Sequence, residues 1–427
     1  MIISRFSRIF LLLGSFLALN LGFYSLVTAE PEEPSEPASP PAWTNIITIS
    51  SDNGARLPSV AAAPNGKDII VAYVSQRSAD DANTDPYYHD SSNNGATFPG
   101  SPAPINTNNS TETIDVAVAY DSNNKPHALW IEELSNNDRQ LRYANKDNWP
   151  STSSLRSSVV NPGVIFTPRI ATSGSNILDI VWAESSSGII TDIYHARSSN
   201  GGSTWPISGV IVDTPDLSQL PDLAIGNGII HVVWAEGLVT SKVNYVQGTV
   251  SGNVVTWSNR IQISDRSAAT NAVEPSIVVN GSVVHVAYTD RLSSNTQFVH
   301  YLRCNGGCAN INNWISSNNP VSGQAVGTNV GDPFDVASTT AKAGRCIYIY
   351  FHGVRTGSNE QILGVNSCDQ WAASARDIVT SSTMRALNPD LAVQNNWWIY
   401  LVYEDKTNER IQFLRNLPAV YLPTIVR

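Results

Sequence analysis

A short phrase of apolar and small residues returns seven times along the chain. Its clearest copy is residues 221–224 (PDLA), followed by a Gly/Asn turn and by residues 230–236 (IHVVWAE). Successive copies start about 55 residues apart, a spacing typical of repeat architectures in which each unit packs on the next. The copies begin at Pro58, Ile114, Pro168, Pro221, Pro275, Phe334 and Pro389.

Each copy predicts two short strands joined by a Gly/Asn/Ser turn. The first strand carries a small residue, usually alanine, and the second is β-branched and ends in an aromatic: Tyr73, Trp130, Trp182, Trp234, Tyr288, Tyr350 and Tyr403. A third and a fourth strand follow in most copies, as at residues 193–196 and 205–212. Four antiparallel strands per repeat are typical of a propeller blade. We therefore predict an all-β chain that forms a seven-bladed β-propeller, with six blades as the alternative.

The start of the repeat region predicts how the ring closes. Residues 43–50 (WTNIITIS) resemble the fourth strand predicted at 257–264 (WSNRIQIS), whereas the seventh copy ends after its third strand at 410–415. We expect residues 43–50 to complete blade seven, because this would close the ring and remove its open edges. The propeller would then span residues 43–416.

The two ends of the chain lie outside the repeats. Residues 1–29 predict a secretory signal, since Arg5 and Arg8 precede an apolar run and Val27-Thr28-Ala29 fits a cleavage site; an uncleaved membrane anchor is the alternative. Residues 30–42 are a Pro/Glu-rich linker. The tail 417–427 resembles short C-terminal tails of some secreted bacterial proteins, or else adds a strand to the last blade. We expect a secreted or cell-surface protein.

Composition narrows the range of partners. Of 427 residues, 42% are hydrophobic, enough for a large core, and only 15% are charged. The net charge of −10 argues against a nucleic-acid partner. We expect a monomer that has no membrane contact once the signal is cleaved.

Four cysteines predict two disulfides, because a secretory signal implies an oxidising compartment. Cys346 opens the second strand of blade six and Cys368 ends the third, so antiparallel pairing places them side by side. Cys304 and Cys308 can pair across the turn between them. Zinc is the alternative, although no His or Cys cluster has ligand spacing. No cofactor is expected, and a structural Ca²⁺ is the alternative.

Polar residues gather where the first strand of each blade starts and the second ends, which is the face where propellers usually bind. Two positions past the aromatic of the second strand stand Ser75, Glu132, Glu184, Glu236, Asp290, His352 and Asp405. We predict a channel mouth rich in carboxylates with a few arginines, of which Arg77, Arg291 and Arg355 lie in loops. The predicted ligand-binding residues are Arg56, Arg77, Glu184, Glu236, Arg291 and Arg355. The alternative is that the glutamates face water or pair with a neighbouring blade. His127, His231 and His285 share one position in the second strand, in separate blades, so we expect them to be structural.

Two turns carry a family resemblance. Residues 198–205 (SSNGGSTW) and 91–98 (SSNNGATF) resemble the Asp-box of sialidase-like, BNR-repeat propellers, with Asn in place of Asp. In such a turn the Asx side chain caps the backbone and glycine supplies a positive φ. Arg56-Leu57-Pro58 also resembles the Arg-Ile-Pro phrase of sialidases. That resemblance implies that Arg56 clamps a sugar carboxylate and that Asp80 or Asp81 is the acid/base. No motif matches the family's other two arginines or its Tyr–Glu pair, and seven copies depart from its six blades.

Three hypotheses for function follow. The leading one is non-catalytic recognition of a glycan or an extracellular protein at the channel mouth. Its rival is an exo-glycosidase of the exo-alpha-sialidase type. The third is a repeat scaffold without a specific ligand.

Overall fold

The computed structural model describes residues 41–416 apart from fourteen short segments: 51–53, 78–82, 108–109, 150–152, 158–164, 186–189, 253, 265–270, 294–295, 317–335, 342–345, 355–358, 369–374 and 395–397. Within the described residues, 29 strands form seven antiparallel sheets. The predicted signal, most of the linker and the tail lie outside them.

Each sheet is one blade, with its strands in sequence order from the axis outward, except that the N-terminal strand is outermost in blade seven. The inner strands are β2 (Arg56–Ala62), β6 (Glu112–Tyr120), β10 (Ile165–Ser173), β14 (Ser218–Gly226), β19 (Asn271–Asn280), β23 (Val336–Ala341) and β27 (Ala386–Gln394). The second strands are β3 (Ile69–Gln76), β7 (Pro126–Glu133), β11 (Ile177–Ser185), β15 (Ile229–Glu236), β20 (Val283–Ser293), β24 (Ile347–Val354) and β28 (Trp398–Asp405).

In the outer half of each blade, the fourth strand is short, with two to six residues. The third strands are β4 (Thr84–Ser91), β8 (Arg139–Asn145), β12 (Thr191–Ser198), β16 (Lys242–Ser251), β21 (Thr296–Cys304), β25 (Glu360–Ser367) and β29 (Arg410–Arg415). The fourth strands are β5 (Ala103–Pro104), β9 (Ser153–Ser157), β13 (Ile207–Val212), β17 (Val254–Trp257), β22 (Trp314–Ser316), β26 (Ala375–Ile378) and, in blade seven, β1 (Ile47–Thr48). Blade four adds β18 (Ile261–Gln262), which also pairs with β16.

The inner strands contact one another in a closed cycle that returns from β27 to β2. The predicted seven-bladed β-propeller is therefore confirmed. The second strands form the core of each blade, and their terminal aromatics are all buried. Burial of β-branched and aromatic side chains between twisted sheets is what drives this packing.

The N-terminal strand closes the ring, as the sequence predicts. β1 pairs antiparallel with β29, so that Ile47 lies opposite Phe413. The ladder continues on both sides of β1: before it, Thr44 N donates to Arg415 O (2.9 Å) and Trp43 bridges to Asn416, and after it, Ile49 N donates to Ile411 O (2.8 Å). Blade seven thus combines the first strand of the propeller with its last three.

Both predicted disulfides are present, Cys304–Cys308 and Cys346–Cys368. This pairing leaves none of the four thiols for zinc. In the described part of the chain, no helix is long and apolar enough to cross a membrane.

An aromatic residue near the start of the fourth strand packs against a ring of the preceding blade. We call the boundary between two blades a seam and these residues seam aromatics. Six such pairs are described, with ring centroids 4.6–5.6 Å apart: Phe98–Phe413, Trp149–Tyr88, Trp205–Tyr143, Trp257–His195, Trp314–Tyr245 and Trp43–Tyr350. Each pair ties one blade to the next around the ring.

Candidate functional site

The inner strands are bulged at the same place in every blade. Pairing between the first and second strands shifts register just after the first strand begins. At the bulge, the residue before a proline adopts a positive φ of 47–54° in Leu57, Thr167, Leu220, Glu274 and Asn388. Such conformations are unfavourable for residues other than glycine, and they concentrate at functional sites. A bulge also re-aims the side chains that follow it.

These bulges surround a cavity of about 400 Å³, here called the axial cavity. All five residues with positive φ line it, together with residues from the inner strands of blades one to five and seven. Its charged side chains are Asp115, Arg169, Asp222, Glu274 and Asp390. Four carboxylates against one guanidinium give the lining an acidic excess. Arg169 Nη1 lies 3.7 Å from Asp115 Oδ2, so part of that excess is compensated.

Two of these carboxylates also hold neighbouring blades together. Asp222 Oδ2 accepts a hydrogen bond from Ile277 N (2.8 Å), and Asp390 Oδ2 accepts one from Val60 N (2.8 Å). Burial raises the pKa of Asp222 to about 6, although the nearby Arg169 charge opposes the shift. The inner ring therefore keeps partly desolvated carboxylates beside the cavity.

These cavity residues were not among the predicted site residues. Asp115, Arg169, Asp222 and Asp390 all occupy the second position of the repeated phrase. The signal was available, because side chains alternate along a strand and a charged residue inside an otherwise apolar inner strand needs a reason.

The mouth glutamates have internal partners. In blades two, three and four, the tryptophan of the second strand donates its indole N–H to the glutamate two residues later, in the pairs Trp130–Glu132 (3.0 Å), Trp182–Glu184 (2.8 Å) and Trp234–Glu236 (2.8 Å). All three glutamates are buried, none more than 6% exposed, so they do not face water as one alternative expected. None lines the axial cavity. A ligand-binding role for Glu184 and Glu236 stays a prediction.

The predicted arginines lie apart. Arg56, in β2, places Nη2 3.2 Å from Glu112 Oε1 of blade two. Arg291 lies within β20 rather than in the predicted loop, because that strand continues to Ser293. Its Nη2 donates to Glu274 Oε1 at 3.1 Å, next to the axial cavity. Arg355 lies outside the described residues, as do both acid/base residues suggested by the resemblance, Asp80 and Asp81.

Arg77 points into the seam between blades one and two. It forms an ion pair with the buried Asp85, and its Nη2 donates to the main-chain and side-chain oxygens of Asn106, both at 3.2 Å. Asn106 Nδ2 in turn donates to Glu132 Oε1 at 3.3 Å. A hydrogen-bonded path therefore runs along this seam.

The three histidines have the structural role that their shared position predicts. Each places Nδ1 next to a tyrosine hydroxyl on the third strand, in the pairs His127–Tyr143 (2.7 Å), His231–Tyr245 (2.7 Å) and His285–Tyr301 (2.6 Å). Burial lowers the pKa of His231 and of His285 to about 4, and burial also lowers that of His127. These histidines are neutral core residues at neutral pH.

The two Asn-containing turns share one set of hydrogen bonds. Asn200 Oδ1 accepts from Thr204 N at 2.9 Å, and Ser198 Oγ accepts from Gly202 N at 2.9 Å. The turn at Ser91 repeats both contacts at 3.0 Å, through Asn93 and Gly95. Both turns join the third and fourth strands, on the face opposite the inner-strand bulges. Their contacts are structural.

Comparison with known proteins places the chain by its fold. No family model matches it, and no curated protein matches it. Among solved structures, it is similar to an ulvan lyase, a polysaccharide lyase bound to a GlcA–Rha3S saccharide (TM-score 0.59, 11% identity, 86% of this chain and 95% of that chain). It is also similar to a protein of unknown function from Dyadobacter fermentans DSM 18053 (TM-score 0.52, 12% identity, 87% and 98%).

An intramolecular trans-sialidase from Ruminococcus gnavus aligns less closely (TM-score 0.49, 14% identity, 87% and 97%). At identities this low the likeness is one of fold alone, and the site has to be argued from its own residues.

Proposed function

We propose that this protein is an extracellular, non-catalytic glycan-binding propeller whose ligand occupies the axial cavity. One observation carries the proposal: the cavity is lined by polar side chains from six blades, and in five of these blades the lining residue before the proline has a positive φ. Hydroxyl, amide, carboxylate and guanidinium groups converge there from Ser59, Thr167, Asn388, Asp115 and Arg169. Sugar hydroxyls need such convergent donors and acceptors.

The charge of the lining selects among glycans. Asp115 lies beside Arg169 and Glu274 beside Arg291, so the four lining carboxylates still exceed the two guanidinium groups and would repel an anionic sugar. A neutral or amino sugar fits the acidic lining better. The ulvan lyase, whose bound saccharide the comparison names, supports a carbohydrate ligand for this architecture. Two disulfides support an extracellular location.

The same geometry weakens the sialidase alternative. A sialidase places three arginines together on the substrate carboxylate, whereas Arg56 and Arg291 lie beside two different carboxylates, Glu112 and Glu274. Neither arginine lines the axial cavity.

A glycan array and a fluorogenic sialoside assay on the secreted protein test the proposal together. We expect binding of a neutral or amino glycan and no turnover. Asp115→Asn should weaken binding, because it removes a charge from the cavity lining. The fold should persist, because the side-chain oxygen still accepts the hydrogen bond from Val116 N (2.8 Å). Ser122→Ala, in the exposed turn after the same strand, is the matched control. Sialoside turnover that is lost in Arg56→Ala would favour the glycosidase, and an array without binding would favour the scaffold.

A further inference from the structure

The loop between β15 and β16 of blade four, residues 237–241, presents an adjacent pair of aliphatic side chains to water. We call it the rim loop, because it lies on the same face of the propeller as the inner-strand bulges. Leu238 is 66% exposed and Val239 is 83% exposed, which makes them the two most exposed large apolar side chains among the residues that the structure describes. Single exposed apolar side chains are ordinary, whereas an adjacent pair points to a contact.

The fold itself does not require apolar residues at this position. Two other blades have the equivalent loop described throughout, at 134–138 in blade two and at 406–409 in blade seven, and the exposed residues of both loops are polar. Their side chains also stabilise the turns, since Asn136 Oδ1 accepts from Asp138 N (3.2 Å) and Asp405 Oδ1 accepts from Thr407 N (3.1 Å). Leucine and valine offer no such hydrogen bond, so the tip of the rim loop serves another purpose.

The rim loop is held at both ends, although its tip is exposed. Gly237 N donates to Leu217 O (2.9 Å), and Ser241 N donates to Asn271 Oδ1 of blade five (2.9 Å). The turn is tight, because Gly237 has a φ of +136° and a Cβ there would lie 2.3 Å from Thr240 O. A backbone fixed in this way presents its side chains at a small entropic cost on binding.

The rim loop adjoins the axial cavity through the start of β14. Leu217, which holds Gly237, stands directly before this strand, and Leu220, three residues further along, lines the cavity. Three residues of a strand span roughly 10 Å. Both leucines are half-buried, so apolar surface continues from the cavity wall towards the rim loop.

We propose that the ligand of the axial cavity is an amphiphilic glycoside, whose sugar occupies the cavity and whose aliphatic chain packs on Leu238 and Val239. This inference rests on the function proposed above. Branched aliphatic side chains offer no flat ring on which a second sugar could stack, and they suit an alkyl chain. Two side chains are too few for the roughly 800 Å² per partner that a stable dimer buries. The rim loop also has none of the basic or aromatic residues that hold a segment at a bilayer surface.

Isothermal titration of the secreted protein with methyl and octyl glycosides of glucose, galactose and glucosamine, below the concentrations at which they form micelles, tests this inference. Each buried methylene tightens binding about fourfold, so burying even two of those added should tighten it at least about tenfold. The double substitution Leu238→Ser and Val239→Ser should remove this gain and leave binding of the methyl glycoside unchanged. Val254→Ser is the matched control, since Val254 is 61% exposed in the outer strand β17 of the same blade. Melting curves of the variants separate binding from folding.

The proposal stands if the octyl chain tightens binding, the double substitution alone removes the gain, and Asp115→Asn weakens both glycosides. It is overturned, with the proposed function intact, if a methyl glycoside or an array glycan binds but the octyl chain adds nothing, or if the gain survives the double substitution. If no glycoside and no array glycan binds, the proposed function fails and the inference fails with it.

Two further outcomes would assign the rim loop to another occupant and overturn the proposal. Octyl binding that Asp115→Asn leaves unchanged would make the rim loop an apolar site separate from the cavity. Dimerisation of the protein, or flotation with neutral lipid vesicles, that the double substitution abolishes would assign the loop to a second copy of the chain or to a bilayer.

Discussion

Two neighbouring seams have the same backbone arrangement but differ in how their side chains pack. Between blades two and three, the Tyr143 hydroxyl donates to Gly201 O at 2.9 Å, and Trp205 packs across the ring at 77°. Between blades one and two, Tyr88 occupies the equivalent position of the third strand, but Trp149 is tilted and a cavity remains. The first seam is sealed and the second is open.

The difference begins two residues away, in the second strand. Tyr143 lies opposite Leu129 and Tyr88 opposite Ala72, so His127 and Ile70 are equivalent positions. His127 hydrogen-bonds to Tyr143, and the hydroxyl is thereby aimed at the turn of blade three. Ile70 has no polar group to offer Tyr88. A repeat protein can thus keep its fold while single side chains decide which seam becomes a pocket.

Removing the closing strand should have the largest effect, because it opens a seam completely. Deleting residues 43–50 removes β1 and also Trp43, which packs on Tyr350 and donates to Asp377 Oδ2 (2.6 Å). We expect the free energy of unfolding to fall by more than about 4 kcal/mol. Removing residues 30–42 instead should change it little. Chemical denaturation of both truncations measures the difference, and equal midpoints would refute closure by this strand.

Adding one methyl group should break the sealed seam. Gly202 has a φ of +84°, and a Cβ there would overlap the Tyr143 ring, so Gly202→Ala should cost about 3 kcal/mol. Gly201→Ala is the control, since its φ is +67° but its nearest atom, Asn176 Oδ1, lies 3.4 Å away. It should cost only about 1 kcal/mol, from the backbone alone. If both variants melt together, the packing of the turn on Tyr143 does not stabilise the ring.

Acid should weaken the His–Tyr pairs. The folded-state pKa values of His231 and His285 are lowered to about 4, so these side chains stay neutral in the fold while the unfolded chain binds protons below about pH 6.5. Stability is therefore full above pH 6.5 and is lost as the pH falls toward 4, by about 2 kcal/mol per histidine between pH 7 and 5.

Urea unfolding at a series of pH values measures this loss. His231→Gln should flatten the curve by the share of one histidine, because it keeps a polar partner for Tyr245 without a titrating group. An unchanged slope would show that these pairs do not carry the pH dependence.

The smallest effect should distinguish the two tryptophans by their N–H groups. Trp205→Phe loses the hydrogen bond to Gly202 O and should cost about 1 kcal/mol, whereas Trp149→Phe loses no hydrogen bond to the residues that the structure describes and should cost less. Thermal denaturation of the pair without added sugar checks this order. Equal losses would mean that Trp149 has a protein partner after all.

The fold could be predicted from the sequence because its signal is repeated. Seven copies of one phrase fix the number of blades, and the match between residues 43–50 and 257–264 fixes the closing strand. Register is enough for such features, since side chains alternate along each strand. The disulfides followed for the same reason, from the positions of Cys346 and Cys368 on adjacent strands.

The candidate sites could be predicted only in part. Position along a strand suggested that Glu184 and Glu236 point to the mouth. Their burial, and the hydrogen bond that each accepts from the tryptophan two residues before it, arise only when the blade is packed. Arg77 was predicted at the mouth, and its partners Asp85 and Asn106 come from later segments of the same blade. The bulge that aims Arg169 at the axis has no marker beyond Pro168, and the equivalent bulge at Asp115 lacks even that marker, because Ile114 stands at the proline position. Contacts between blades are the part that one repeat does not encode.

The closing strand also bears on the order in which the molecule folds. Thr48 and Gln412, which hydrogen-bond in blade seven, are 364 residues apart in the chain. Residues 43–50 are synthesised before the rest of the propeller. Their partner strand exists only after almost the whole chain has been made. Closing so long a loop is slow. The entropic cost of closing it, however, grows only slowly with the length of the loop. Until that moment, β29 and the first strand are unpaired edges, so a chain that stops before residue 410 should be prone to aggregate rather than to form a smaller ring.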